Sequence, residues 1–532
     1  MKLRFIGADH EVTGSCHLIQ VNELNILIDC GMQQGPDIYE NQDLNVDASK
    51  IDYVLLTHAH IDHSGLLPLL YSHGFRGKIY ATTATVMLCE IMLKDSAYIQ
   101  MNEAEWKNRK ALRSGRAEVT PLYDMTDAEN VLKFFRPCDY HELIDISDGV
   151  TIRFVDAGHL LGSASIEVWL TEAGEKRKVV FSGDIGHGNK PLIKNPEFVS
   201  DADYVLIEST YGDRAHNSPP DFAKALAEII GDTLRRGGNV VIPAFSVGRT
   251  QELLYYIRRI KTEQMLTDLR DFEVYVDSPL SIEATNVFTQ NVEDCYDEEA
   301  LEIVRNGGNP IGFAGLKVSV TSEDSKLINQ SKSPKVIISA SGMCEAGRIR
   351  HHLKHNLWRE ECTILFVGYQ VTGTLGHALL NGAKEVRLFG ETINVNADIK
   401  NLSGISGHAD KPTLLDWMGH IKGVSKVFVV HGEDSICDNF AMDIRNEYGF
   451  DAYAPYSGDE FDLITGKQIV MGPRIVRTKK KSNKASSNVF ARLVAAGKRL
   501  MNAIERSEGM ANKDLGKMAD QVNSLVDKWE RY

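Results

Sequence analysis

Thr57-His58-Ala59-His60-Ile61-Asp62-His63 gathers three imidazoles and one carboxylate directly behind the apolar run Ile51-Asp-Tyr-Val-Leu-Leu56. That run has the length and β-branched content of a buried strand, so the cluster falls where a strand ends and a loop begins. Imidazole and carboxylate are the ligands that suit a divalent metal such as zinc. The chain has 17 His in 532 residues, which makes three of them within residues 58–63 improbable as a chance grouping. Alternate positions 58, 60 and 62 of an extended chain share one face, while residue 63 turns away. The spacing therefore predicts one ion on His58 and His60 and a neighbouring ion on Asp62 and His63.

Two ions need more ligands than this segment holds, and three later strand ends offer them. Thr151-Ile-Arg-Phe-Val-Asp156 runs into Ala157-Gly158-His159, Lys178-Val-Val-Phe-Ser182 into Gly183-Asp184, and Val427-Phe-Val-Val430 into His431-Gly432. Each sets a potential ligand beside a glycine, which lets backbone approach closely.

With these residues in place the chain resembles the metallo-β-lactamase superfamily, and within it the β-CASP nucleases. The first motif of that family matches Asp29 in Ile26-Leu-Ile-Asp-Cys-Gly31, the second His58 to His63, the third His159 and the fourth Asp184. The β-CASP branch adds an acid, matched by Glu208 in Tyr204-Val-Leu-Ile-Glu208, and a His matched by His408 in Ser406-Gly-His-Ala-Asp410. Its last His is matched by His431. The seven motifs occur in order across residues 1 to about 470, and a His at the last position points to RNA, because DNA-processing members usually carry an apolar residue there.

The resemblance implies an α/β fold: a metallo-β-lactamase αββα sandwich with an inserted β-CASP domain, a parallel sheet flanked by helices. It also implies two zinc ions per chain. His58, His60 and His159 would hold one ion, Asp62, His63 and His431 the other, with Asp184 between them. Asp29 would orient a ligand by hydrogen bonding, Asp62 would serve catalysis as well as metal, and His408 paired with Glu208 would act as general acid. The expected reaction is hydrolysis of single-stranded RNA to 5′-phosphate and 3′-hydroxyl ends, by endonucleolytic action, 5′–3′ exonucleolytic action or both. Two rival readings stand beside it: a catalytically inactive scaffold subunit of an RNA-processing complex, and a small-molecule hydrolase on the same metal core.

Element alternation gives the domain plan. Residues 1 to about 208 read as short strands and loops, with helical patterning at 83–96 and 127–135. Beyond 212 the order becomes helix 221–235, strand 239–242, helix 249–260, strand 273–276, then strand 335–339, helix 347–357 and strand 362–367. That rhythm predicts a parallel sheet. The expected domains are 1–210 and 396–470 for the metallo-β-lactamase part, 211–395 for the insertion and 471–532 for a basic helical extension.

Three glycine-rich turns join strand to helix in the insertion: Pro243-Ala-Phe-Ser-Val-Gly-Arg-Thr250, Ser339-Ala-Ser-Gly-Met-Cys-Glu-Ala-Gly-Arg348 and Gly368-Tyr-Gln-Val-Thr-Gly-Thr-Leu-Gly376. Glycine turns are ordinary punctuation in such folds, but these lie at the strand ends where open α/β sheets bind ligands. Contacts to the RNA backbone are expected from Ser246, Arg249, Ser341 and Arg348. His10, His17, His187 and His377 read as surface or structural, and His351, His352 and His355 as the polar face of one helix.

The net charge is −14, acidic for an RNA binder, but it is unevenly placed. From Arg474 to Tyr532 there are 14 Lys or Arg against 6 Asp or Glu, so the rest of the chain carries −22. Binding phosphate on an acidic body requires a local cationic groove. Lys479-Lys480-Lys481 reads as a solvated linker. Two amphipathic helices are expected behind it, on Val489, Phe490, Leu493, Val494, Leu500 and Ile504, then on Leu515, Met518, Val522, Leu525, Val526 and Trp529. They would pack on the body or on a second copy, making a homodimer. The eight cysteines suggest neither a disulfide framework nor a zinc knuckle. No signal peptide or membrane span is read, and the cytoplasm is the expected location. No counterpart of the N-terminal RNA-binding extension of archaeal relatives is read, which points to the shorter bacterial type.

Overall fold

The computed structural model describes residues 1–34, 44–114, 118–216, 221–402, 404 and 406–474, and in the tail 497, 500–501, 504–505 and 507–529. They fall into two compact units, Met1–Ser96 with Met125–Arg477, and Ala97–Asp124 with Thr478–Tyr532.

Two sheets form the heart of the first unit. One runs Lys467–Val470, Glu460–Asp462, Lys2–Gly7, Cys16–Val21, Leu24–Ile28, Tyr53–Leu55, Lys78–Thr82 and Phe135–Cys138 from edge to edge. The other runs Ala452–Tyr453, Lys426–Val430, Tyr204–Glu208, Glu175–Phe181, Ala164–Glu172, Val150–Asp156 and Ile144–Ser147. Their facing residues make one core, in which Phe5, Ile19 and Leu55 of the first sheet cluster with Phe154, Phe181 and Phe428 of the second. Burying each such side chain contributes roughly 1.5–3 kcal/mol. On the far face of the second sheet, Val180, Val205 and Val429 pack against Leu414, Trp417, Phe440 and Ile444 of the helices Lys411–Gly419 and Asp434–Tyr448. The helix-covered sandwich is thus present.

Strand direction sets up the site. Leu24–Ile28 pairs in parallel with Tyr53–Leu55, and Glu175–Phe181, Tyr204–Glu208 and Lys426–Val430 are parallel neighbours. Asp29, the 58–63 segment, Asp184, Glu208 and His431 therefore all emerge at or just beyond the C-terminal ends of parallel strands.

The insertion is a sheet of six strands, all parallel, ordered Leu316–Val318, Glu273–Val276, Lys335–Ser339, Val240–Pro243, Thr363–Phe366 and Asp398–Asn401. The return to the sandwich comes later than the expected 395, because Asp398–Asn401 pairs with Thr363–Phe366 as the edge strand. An edge strand buries little, and Asp-Ile-Lys-Asn has no apolar run to announce it. Several connecting elements were not anticipated, among them the helices Pro279–Gln290, Glu298–Arg305 and Ser322–Gln330 and the hairpin Glu385–Leu388/Glu391–Asn394. The glycine turns at 243–250, 339–348 and 368–376 do follow the C-terminal ends of adjacent parallel strands.

His352 departs from the polar-face reading. It is fully buried, and its Nε2 donates to Asp277 at 2.6 Å. The same carboxylate accepts from Arg348 Nη1 at 2.7 Å and Ser325 Oγ at 2.5 Å. His17 is buried too, with Nδ1 unpartnered among the described residues and 4.0 Å from Asp9.

In the second unit, the helix expected to end near residue 96 continues to Ser114. The helix Asn512–Trp529 carries the last apolar set, with Leu525 and Val526 exposed. The preceding set from Val489 to Val494, and Lys479-Lys480-Lys481, lie outside the described residues. No described helix is long and apolar enough to cross a membrane, and all eight cysteines are free.

Candidate metal centre

Extended geometry ends at His60. Ile61–Ser64 makes a helical turn with His60 at its N-cap, and Asp62 and the Nε2 of His63 on this turn lie beside His431. His58 and His60 gather with His159, and Asp62 and His63 with His431, a grouping produced by a helical turn and not by an extended chain. His58 Nε2 lies 3.1 Å from His60 Nδ1, which lies 3.2 Å from His159 Nε2. His63 Nε2 lies 3.1 Å from His431 Nε2, and Asp62 Oδ2 is 3.7 Å from that same nitrogen.

Asp184 stands between the groups. Its Oδ2 is 3.5 Å from His58 Nε2 and 3.6 Å from His159 Nε2. Its Oδ1 is 3.3 Å from His63 Nε2 and 3.7 Å from His431 Nε2. Oδ1 is buried and accepts no hydrogen bond among the described residues, and a buried carboxylate oxygen is costly to leave unmatched.

The donor set fits two metal ions. Tetrahedral bonds of about 2.0–2.1 Å to nitrogen would set ligand atoms about 3.3 Å apart, close to the separations observed here. The ligand atoms of His58, His60, His159 and Asp184, and separately those of Asp62, His63 and His431, lie within 4.8 Å of one another.

Each converging imidazole but that of His60 is also held at its far nitrogen. His63 Nδ1 donates to Asp29 Oδ2 at 2.7 Å, His58 Nδ1 to Thr57 Oγ1 at 3.2 Å, His159 Nδ1 to the Gly407 carbonyl at 3.0 Å and His431 Nδ1 to Thr210 Oγ1 at 3.2 Å. Such bonds fix the tautomer and leave the inner lone pair for a metal. Asp29 is itself fixed by Thr57 N at 2.8 Å and Thr57 Oγ1 at 2.9–3.0 Å. Asp29 and His431 adopt left-handed backbone, φ +59° and +52°. Non-glycine residues adopt this conformation at a cost and cluster at functional sites when they do.

The titration pattern supports the division. Burial holds His58 and His159 well below the usual imidazole range and His60 down to about 4, so these three are neutral donors. Burial opposes charge on His63, but Asp184 and Asp29 outweigh it and push that imidazole up. His431 rises against burial for a similar reason, beside Asp184 and Asp62. Asp62 falls to about 2 despite burial, because His431 and His63 face it. Two imidazoliums cannot share a 3.1 Å approach, whereas a cation replacing their protons resolves the conflict.

His408 differs from the others. Its side chain is 23% exposed, against 5% or less for His58, His63, His159 and His431. Nδ1 lies 3.2 Å from Glu208 Oε2 and 3.8 Å from Asp184 Oδ2. Glu208 is buried and anchored by Ile185 N, which donates to its Oε1 at 2.6 Å. Burial works against the charge on His408, yet Glu208 and then Asp184 carry it up to about 9. Its ring is 4.5 Å from that of His159.

The insertion abuts this site. Leu160, beside His159, stands 3.3 Å from where a Cβ on Gly248 would lie. Buried Lys190 donates to the His159 carbonyl at 2.7 Å and pairs with Glu252 of the insertion at 3.4 Å. Of the residues expected to meet RNA, Ser246 Oγ is 3.3 Å from Ser278 Oγ, and Ser341 Oγ pairs with Ala346 N at 3.3 Å. Arg249 is paired with Glu252 at 2.7 Å. Arg348 is committed to Asp277, the Ser319 carbonyl and the Val320 carbonyl, so it braces the turn. Lys190, Thr210 and Asp277 were not picked out from sequence. Thr210 sits two residues past Glu208 and Asp277 directly past a strand, positions that could have flagged them; Lys190 has no local signal.

Comparison with known proteins agrees in extent and order. Residues 18–208 match the family model for the metallo-beta-lactamase superfamily domain, 250–379 that for the Beta-Casp domain, and 392–455 that for the Zn-dependent metallo-hydrolase RNA specificity domain. A protein of Thermus thermophilus named a ribonuclease is 38% identical over 82% of this chain and 94% of its own length. Methanocaldococcus jannaschii has two similar proteins. One, named transcription termination factor FttA, is 31% identical over 86% of this chain and 71% of its own length. The other, named RNase J-like protein, is 30% identical over 86% and 98%.

Proposed function

The chain belongs to the β-CASP branch of the metallo-β-lactamase superfamily, and from that premise we propose that it is a zinc-dependent ribonuclease using two metal ions. The observation that carries the reading is Asp184, whose two carboxylate oxygens face two separate groups of imidazoles. Relatives named as ribonucleases support RNA as the substrate, as does the match to an RNA specificity domain.

His58, His60 and His159 would hold one ion and Asp62, His63 and His431 the other, with Asp184 shared. Bound there, zinc supplies Lewis acidity that activates the attacking water and offsets charge building on the phosphate. The protein's own groups do the rest. Asp29, Thr57, Thr210 and the Gly407 carbonyl hold the ligand rings in place. Water adds to phosphorus and releases one of its protons to solvent as the bond to the 3′ oxygen breaks, and protonated His408 gives its proton to that leaving oxygen. Glu208 keeps His408 charged until then. The products are a 5′-phosphate and a 3′-hydroxyl. Turns at the C-terminal edge of the inserted sheet position the strand, with Ser246 and Ser341 offered to phosphate while Arg249 and Arg348 hold the turns.

The test is incubation of metal-loaded protein with 5′-labelled single-stranded RNA, with and without chelator, followed by mapping of product ends. Chelator-sensitive cleavage leaving 5′-phosphate ends is expected. Absence of cleavage at full metal content would favour a scaffold, and turnover of thioesters or lactones in place of RNA a small-molecule hydrolase.

A further inference from the structure

We propose that Phe245 and Tyr369 form a stacking platform for the bases of the RNA strand beside the metal centre. The proposal deepens the ribonuclease reading and rests on it. Phe245 follows the strand Val240–Pro243 and Tyr369 the strand Thr363–Phe366, which pair in parallel. Both turns therefore open at one edge of the sheet, where an open α/β sheet takes its ligand.

Both rings are presented to solvent, Phe245 at 52% and Tyr369 at 63% exposure. Neither stacks on another ring among the described residues. Phe198 and Phe389, also exposed, lie flat on His420 and His351 at 3.8 and 4.3 Å. Trp358 is exposed and unstacked as well, but it follows the helix Ile349–Asn356 and so leads back to the opposite end of the sheet. A single exposed aromatic is ordinary on a protein surface. Two on adjacent turns at the ligand edge are a different matter.

The backbones beneath these rings are fixed, as a platform requires. The Phe245 carbonyl accepts from Thr250 Oγ1 at 2.7 Å. Its ring carbons lie 3.3 Å from where a Cβ on Gly342 would be, so glycine in the middle turn lets the ring lie against backbone. Gln370 Nε2 donates to the Gly342 carbonyl at 3.1 Å and ties the third turn to the second.

Tyr369 leads toward the chemistry. It is close enough to Tyr211 to add to that phenol's upward shift, which burial dominates. The Tyr211 ring is 6.2 Å from that of His408. Every base has a π face, so such a platform accepts any sequence but requires that a base be present.

The test pairs substitutions with RNA lacking a base. Metal-loaded protein and the variants Phe245→Ala, Tyr369→Ala, Phe245→Trp and Tyr369→Phe are titrated into fluorescently labelled single-stranded RNA. The RNA is either intact or carries one abasic nucleotide walked along the strand, and cleavage is followed in parallel. Each alanine should weaken binding of intact RNA about 5- to 150-fold. At one abasic position the wild-type protein should lose as much, and the alanine variant nothing further. The aromatic replacements should bind like wild type. Alanine variants that bind intact RNA like wild type, or that lose the same factor on abasic RNA as wild type does, would overturn the platform. Cleavage without this coupling refutes the platform and leaves the ribonuclease reading standing. Coupling without cleavage refutes the ribonuclease reading and leaves the platform.

Discussion

Replacing His408 and Glu208 separately distinguishes acid catalysis from metal binding. His408 lies outside both groups of ligand atoms, although it also gathers with Asp184 and Glu208, so its role needs a test that could fail. If it protonates the leaving oxygen, His408→Ala should keep both zinc ions and lose about 10²–10⁴-fold in kcat. Glu208→Gln should act through the proton alone. Burial disfavours charge on His408, and Glu208, then Asp184, raise it to about 9. Losing the Glu208 charge removes the largest of the causes that raise it, so the imidazole should give up its proton at lower pH in the variant. A general acid works protonated, so the rate is lost as pH rises through its pKa. Above the variant's pKa the protonated fraction, and with it kcat, should fall about tenfold for each further pH unit. The alkaline limb of the profile should move to lower pH. Zinc by elemental analysis, with single-turnover cleavage of labelled RNA across pH, reads both quantities. Loss of zinc from His408→Ala, as expected for His431→Ala, would make His408 a ligand. An alkaline limb unmoved by Glu208→Gln would remove the acid role.

Three further outcomes are expected. Asp184→Asn should reduce zinc from about two per chain to one or fewer and abolish cleavage, because both of its oxygens face ligand groups; elemental analysis after zinc loading checks it. Asp29→Asn should weaken zinc affinity about 10- to 100-fold by removing the carboxylate that holds His63 at 2.7 Å, measured by competition with a chelator. Asp277→Ala should destabilise the fold by about 3–5 kcal/mol, since it strands Arg348 and His352 in a buried network, as read from urea midpoints. His352, Ser325 and Arg348 outweigh burial and hold the Asp277 carboxyl well below the usual range. Its contribution is therefore present above the unfolded value of about 3.9 and lost as pH falls toward the native one, so the gap between wild type and variant should narrow below about pH 4.

The parallel sheet of the insertion was legible because its central strands are short apolar runs between recognisable helices. Val240–Pro243 and Lys335–Ser339 are fully buried, and burial on both faces writes itself as an unbroken apolar string. Asp398–Asn401 belongs to the same sheet and left no such trace, since an edge strand packs against a neighbour on one side. His352 was misread for the complementary reason. One carboxylate and one amide, Asp277 and Asn329, satisfy both of its nitrogens, and neither lies on its helix. A polar residue on an amphipathic helix looks solvent-facing whenever its partner comes from another element.

The metal centre shows the same limit in sharper form. His58, His60, Asp62, His63, His159, Asp184 and His431 were readable because parallel strands from two sheets deliver their ends to one edge. A ligand there appears in the chain as an apolar run followed by His or Asp. Of the groups that orient those ligands, Asp29 follows an apolar strand in the same way, and the others have no such grammar. The Gly407 carbonyl holds His159 from 248 positions away, Thr210 holds His431 from 221, and Lys190 joins the His159 carbonyl to Glu252 of the insertion. Strand ends fix where ligands arrive, whereas backbone carbonyls and hydroxyls from distant turns fix which nitrogen faces inward. The first is a local property of the chain, and the second comes mostly from residues far away in the sequence. The candidate ligands could therefore be read one segment at a time, while the inward-facing nitrogens of His63, His159 and His431 depend on partners that lie outside their own segments.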